Sequence, residues 1–142
     1  MSLHFSTEEL CRSDAALRLC IDNTPDAVTL ANMSVLMAGL EQLRELLGGP
    51  IHISSGYRSP ALNEAVGGSK TSDHVQGYAA DFTCPSFGTP LEIVRAIDAS
   101  SIHFGQLIQE GRWVHISFKL SRKREVLTAH FAPTGTTYTQ GA

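Results

Sequence analysis

Apolar residues keep helical time most clearly between positions 27 and 47, where Ala27, Leu30, Ala31, Leu36, Met37, Leu40, Leu43 and Leu47 recur at the spacing of a helix with one buried face. Thr24-Pro25-Asp26 opens this helix and Gly48-Gly49-Pro50 stops it; proline suits a first turn and glycine the position just past a last one. Met33 and Met37 are read as gap-fillers of a core. Two shorter starts come before it. Ser6-Thr7-Glu8-Glu9 has the spacing of a capping box, and Ser13-Asp14-Ala15-Ala16-Leu17 is a second. Beyond Pro50 the period changes to two: Ile51-His52-Ile53-Ser54 alternates as a strand, and Ser55-Gly56-Tyr57-Arg58-Ser59-Pro60 is the loop that leaves it. A short helix over 61–65, a flexible polar stretch over 66–72 and a strand over 77–83 follow. Thr89-Pro90-Leu91-Glu92 joins a capping box to a proline at the first helical position, which starts a helix running to about residue 99. Strands over 104–110 and 113–119 are joined by Gly111-Arg112 as a two-residue turn, and another strand covers 124–131. Residues 133–142 carry no apolar period and read as a flexible tail. Helices first, then strands mixed with a helix, predict an α+β fold: one domain over 1–132, its N-terminal helices packed on a small, mainly antiparallel sheet.

Composition narrows the classes without naming a function. A length of 142 residues fits one domain, and 42% hydrophobic against 18% charged residues is enough to fill a core, which excludes a disordered chain. The net charge of −3 and a pI near 6.0 exclude the basic surplus of a nucleic-acid or acidic-membrane binder. Cys11, Cys20 and Cys84 are an odd count without a Cys-x-x-Cys pair, against a disulfide framework or a thiolate zinc knot. Cys84 is read as a small buried thiol. The start, Met1-Ser2-Leu3-His4-Phe5, lacks a basic stretch and a long apolar run, so no secretory signal is visible. No segment is apolar enough for membrane insertion. The expectation is synthesis in the cytoplasm, with other factors delivering the chain to any target outside.

Of the six histidines, His74 and His115 stand in unusual company. Ser72-Asp73-His74-Val75-Gln76-Gly77-Tyr78-Ala79-Ala80-Asp81 places an imidazole in a polar loop and then a carboxylate inside an apolar strand. A carboxylate buried between Ala80 and Phe82 needs a partner. That partner is either a divalent cation shared with His74 or an arginine such as Arg58. In Trp113-Val114-His115-Ile116-Ser117, alternation turns Trp113, His115 and Ser117 to one face. With a two-residue turn, Glu110 pairs with Trp113, Ile108 with His115 and Gln106 with Ser117, so Glu110 and His115 share a face as diagonal neighbours, about 6–8 Å apart. Two histidines, one aspartate and an open fourth position fit catalytic zinc, and an acid at that distance fits a base acting on water beside it.

Ser72, His74, Gly77, Ala79 and Asp81 form Ser-x-His-x-x-Gly-x-Ala-x-Asp, which resembles the zinc signature of the peptidase M15 family. The likeness extends upstream to Ser55-Gly56-Tyr57-Arg58-Ser59 and downstream to Trp113-x-His115, over roughly 51–118. It implies one Zn2+ per chain held by His74, Asp81 and His115. It further implies that Arg58 binds a substrate carbonyl or carboxylate and stabilises the oxyanion, and that the substrate is a stem peptide or cross-bridge of peptidoglycan. The N-terminal helices look like those of short members found in phage and prophage proteins, which sets an expected phage-type lysis role. Ser72 and Gln106 are candidates for supporting the ligands, Gln106 also for touching substrate, and Tyr57 and Trp113 for either an aromatic wall beside the substrate or ordinary packing. One position departs from the family: many members have Glu-x-x-His, and here Arg112 stands three residues before His115. Glu110 is the substitute base by the hairpin reasoning. Two whole-protein readings therefore stand, a zinc peptidase of the carboxypeptidase or endolysin type and a zinc-containing, non-catalytic wall-binding or virion module on the same fold.

Overall fold

The apolar period over 27–47 becomes α3 (Ala27–Leu47) in the computed structural model, which describes residues 3–142. Asp26 accepts from the amide of Thr29 at its start, and Gly48, at φ +68°, ends it. Met1 and Ser2, part of the stretch read for a signal and of the expected 1–132 domain, lie outside the described residues. The two short starts are real helices, α1 (Thr7–Cys11) capped by Ser6 and α2 (Asp14–Leu19) capped by Ser13. β1 (His52–Ser55), α4 (Pro60–Ala65), β2 (Ala79–Thr83) and α6 (Pro90–Asp98) follow as the patterning predicts, α6 with the full capping box of Thr89 and Glu92. Between the polar stretch and β2 lies an extra turn of helix, α5 (Asp73–Gln76), so His74 is helical and not in a loop. Ser72 caps α5, and Gly77, at φ +83°, ends it where a side chain would collide with Met33 and Thr29.

One six-stranded sheet, ordered β1-β2-β4-β3-β5-β6, adds β3 (Gln106–Gln109), β4 (Val114–Ser117), β5 (Glu125–Ala132) and β6 (Gly135–Gln140). Every pairing is antiparallel except β3 with β5, so the α+β fold with a mainly antiparallel sheet is what forms. The flexible tail is corrected: residues 135–140 pair with 127–132 along β5 as β6. The pairing was invisible in the sequence because all six residues of β6 are exposed, and a strand that faces solvent on both sides has no apolar period to read.

One face of the sheet supplies the core. Ala80, Phe82, Leu107, Val114 and Ile116 pack with Met33, Leu36, Leu40 and Leu43 of α3 and Ile93, Val94 and Ile97 of α6. Cys84 is fully buried there, and all three cysteines are free. The opposite face is left open for chemistry. Across it runs a single row, Ser55, Asp81, His115, Ile108 and Leu127, fixed by the registers of five strands. Among the described residues no helix is long and apolar enough to cross a membrane.

Candidate metal centre

Strand pairing alone brings Asp81 and His115 side by side, because Asp81 of β2 is the register partner of His115 of β4. His74 arrives from α5, which sits over β2. The Asp81 Oδ1 atom lies 3.0 Å from Nδ1 of His115 and 3.2 Å from Nε2 of His74, and one ligand atom from each of the three falls within 4.8 Å of the others. All three residues are buried.

The outer hydrogen bonds decide what the inner atoms can be. Nδ1 of His74 is 2.7 Å from the carbonyl of Gly56, an acceptor only, so this nitrogen carries the hydrogen and donates it. In the neutral ring Nε2 then offers a lone pair toward Asp81. Nε2 of His115 is 3.1 Å from Oε1 of Gln106, and the Gln106 amide donates over 2.7 Å to Oε1 of Glu125. That carboxylate sets which end of the Gln106 amide is oxygen, so Nε2 of His115 donates and its Nδ1 also presents a lone pair inward. Two nitrogen lone pairs and a carboxylate oxygen converge with no hydrogen among them. Acceptors meeting in this way call for a cation. The edge of a tetrahedron with bonds of 2.0–2.1 Å is about 3.3 Å, close to the two inner distances. The donor set therefore fits a tetrahedral metal held through one oxygen and two nitrogens.

Asp81 Oδ2 faces the other way, 3.5 Å from Nη2 of Arg58. The arginine that the sequence offered as a partner is thus on one oxygen, and the two histidines that would share a cation with this carboxylate are on the other. Burial pushes the Asp81 carboxyl up, but the electrostatic pull of His74 and the hydrogen-bonding contacts with His115 and His74 outweigh it and hold the group below the usual carboxylate range. Arg58 is itself aimed by Ser55 Oγ at 3.2 Å and Asn63 Oδ1 at 3.2 Å. Its loop is stitched by Asn23, which donates to the carbonyls of Cys11 and Tyr57 and accepts from the amide of Ser59. Asn23 was passed over in the sequence, where a lone asparagine before Thr24-Pro25 reads only as a helix approach.

A cavity of about 600 Å³ opens over the cluster. Arg58, Ser72, Gln106, Glu110 and Trp113 all line it, beside His74, Asp81 and His115. The turn at Gly111-Arg112 has two residues, with the amide of Glu110 bonded to the carbonyl of Trp113, so Glu110 does share the His115 face. Arg112 is exposed at the turn itself. Trp113 Nε1 donates to Glu110 Oε2 over 3.0 Å. Burial, then the negative Asp81, pushes the Glu110 carboxyl up, only partly offset by His115, the Trp113 hydrogen bond and Arg58. Ser72 touches no ligand side chain; its hydroxyl accepts from the amide of His74 and holds the turn that carries it.

Tyr57 is the correction. It is 6% exposed in the core and does not line the cavity over the cluster; the hollow it borders, beside Arg12 and Ser13, shares only Arg58 and Val66 with that cavity. Its amide donates to the carbonyl of Leu10, which seats the residue against α1, and its ring packs in the core. In its place the cavity has Leu127, Phe131 and Tyr138 from the hairpin of β5 and β6, which the reading of a loose tail missed.

With this geometry in hand, comparison with known proteins is decisive for the family: the model described as Peptidase M15 matches residues 3–117. The chain belongs to the peptidase M15 family. A relative within reach of this M15 chain is a "Zinc D-Ala-D-Ala carboxypeptidase" of Streptomyces albus G, 40% identical over 63 residues, or 44% of this chain. The matched stretch spans a quarter of that relative's length. The three converging ligands, and the Arg58 and Glu110 side chains beside them, all lie inside the portion matched to the M15 family.

Proposed function

We propose that this M15 chain is a zinc-dependent peptidase that hydrolyses amide bonds of peptidoglycan stem peptides or cross-bridges, its one zinc ion held by His74, Asp81 and His115. The observation that carries the reading is the convergence of two imidazole lone pairs and one carboxylate oxygen, with ring orientations locked from outside by Gly56 and Gln106. Family membership and the name of the Streptomyces relative support it. When bound in such a site, zinc lowers the pKa of water to about 7 and polarises a carbonyl.

The remaining work belongs to the chain's own side chains. Glu110 stands beside the cluster without joining it, ties one oxygen to Trp113 and has its carboxyl pushed up toward the range of a useful base. It takes the proton of the attacking water and returns it to the leaving amine. Arg58, with Nη2 turned to the cluster, donates to the carbonyl oxygen as negative charge gathers there. Gln106 keeps His115 in one tautomer through Glu125. A role in lysis by phage or prophage, with delivery to the wall by other factors, is part of the same proposal and rests on the resemblance in the N-terminal helices.

The test is mass spectrometry of cross-linked peptidoglycan fragments incubated with the zinc-loaded protein, beside a chelated sample. New fragments that vanish on chelation are expected, and their masses name the bond. Unchanged fragments with zinc verified in the protein would favour the non-catalytic binding module. Glu110→Gln separates the two as well, since a peptidase should lose most of its rate with zinc retained, and a binding module should keep its affinity for the wall.

A further inference from the structure

The match to the M15 family ends at residue 117, whereas the cavity over the metal cluster is finished by residues beyond it, Arg122, which is taken up by Asp73, and the apolar or aromatic Leu127, Phe131 and Tyr138. Leu127 is the register partner of Ile108, the next residue along the row from His115. Phe131 and Tyr138 stand on the same face: Tyr138 pairs with Ala129, two positions from Phe131, which makes the two rings diagonal neighbours across the hairpin. The Phe131 ring lies 6.4 Å from that of Trp113, and Tyr138 is near enough to Glu110 for that carboxylate to add to the rise in its phenol pKa, after burial. Yet Phe131 is 59% and Tyr138 53% exposed. Two aromatic rings left in water at the mouth of a cavity, continuous with Ile108 and Trp113 inside it, form an apolar wall with nothing yet against it.

We propose that the hairpin of β5 and β6 is a specificity element of this chain, and that Leu127, Phe131 and Tyr138 complete, with Ile108 and Trp113, a wall that holds an aliphatic side chain of the peptide next to the cut amide. The inference rests on the peptidase reading above. An aliphatic occupant follows from the lining: the wall offers ring faces and branched methyl groups, and its polar neighbour, Glu110, is needed for proton transfer and is tied to Trp113. Covering the wall removes apolar surface on both partners from water, and closes the cavity over Glu110.

Trp113 is the one tryptophan of the chain, so its fluorescence reports the wall directly. The zinc-loaded protein is titrated with acetyl-D-leucyl-D-alanine and with acetyl-glycyl-D-alanine, at a pH low enough to keep turnover slow. The leucyl peptide is expected to bind about tenfold tighter. Phe131→Ser with Tyr138→Ser, both at exposed positions, should bring that ratio close to one with zinc content unchanged. Phe131→Leu with Tyr138→Leu, which restores apolar surface, should recover most of the preference. A parent protein that binds both peptides equally, or a serine variant that keeps the full preference, overturns the wall and leaves the peptidase reading intact. No response to either peptide by a zinc-loaded parent overturns both.

Discussion

Asp81 and Glu110 are two carboxylates on one sheet face whose surroundings push them apart. Asp81 faces two imidazoles and an arginine and is held ionised; Glu110 loses water to burial and feels Asp81's charge, so it holds its proton to higher pH than an ordinary glutamate. The sign of the stability effect follows. The folded state binds the Glu110 proton more tightly than the unfolded chain does, so ionised Glu110 opposes folding above its raised pKa, and the penalty vanishes below the ordinary glutamate value. Glu110→Gln, which keeps an oxygen for Trp113, should therefore melt at or slightly above the parent's temperature at pH 7, with the difference gone near pH 4. In the same variant peptide hydrolysis should fall by about 10²–10⁴-fold. A melting curve series on the metal-free protein and a rate assay on the zinc-loaded protein check the two together. At this scale Gln106 makes a separate prediction: Gln106→Leu removes the acceptor that fixes the His115 tautomer, and zinc affinity should drop about 10–100-fold by competition with a chromophoric chelator.

The elements that carry the ligands are tied to each other by a charge pair that the sequence disguised. Asp73, beside His74 in α5, is 2% exposed and accepts from Ser117 Oγ at 2.7 Å and from Arg122 Nε at 2.5 Å and Nη2 at 3.0 Å. Ser117 lies two residues past His115, so the contact bolts α5 to β4. Arg122 belongs to Lys119-Leu120-Ser121-Arg122-Lys123-Arg124, a basic run that reads as solvated surface, yet Arg124 also has structural partners: it donates to carbonyls at the end of α6 and covers the Phe104 ring. Arg122→Ala leaves a buried carboxylate with one hydroxyl. Because the arginine is about a third exposed, the cost should be about 1–3 kcal/mol by denaturant titration, and zinc affinity should fall with it as α5 loosens. What was legible in the sequence was what local rules dictate. Caps named the helix starts, and the Gly111-Arg112 turn set the register that puts Glu110 on the His115 face. The α5 turn and the Asp73–Arg122 pair were not legible, since a four-residue helix has no period and a pair 49 residues apart leaves no local trace. Strand β6 escaped because neither of its faces is covered, and Tyr57 was misplaced because a residue in a loop has no period to give its direction.

At the scale of the whole molecule the sheet is a partition, with the α3 and α6 core on one face and the metal cluster with its cavity on the other. The cluster draws on β2, β4 and α5, and its outer hydrogen bonds reach Gly56 ahead of α4 and, through Gln106, Glu125 of β5. An ion bound there holds together segments from residue 56 to residue 125, none of which is in place in the unfolded chain, so its binding free energy adds to folding. Free zinc at 100 times its dissociation constant contributes about 2.7 kcal/mol, which for a chain of this size raises the melting temperature by about 5–10 °C. Chelation should remove that increment, and re-addition of zinc should restore it. Asp81→Asn weakens the cluster at its shared oxygen, so its melting temperature should respond to neither treatment. The core face needs no ion, so the chelated parent should still unfold in one cooperative step with the far-ultraviolet spectrum of the α+β fold. A parent whose melting temperature ignores both chelator and zinc would show that the converging lone pairs of His74 and His115 hold no ion in solution.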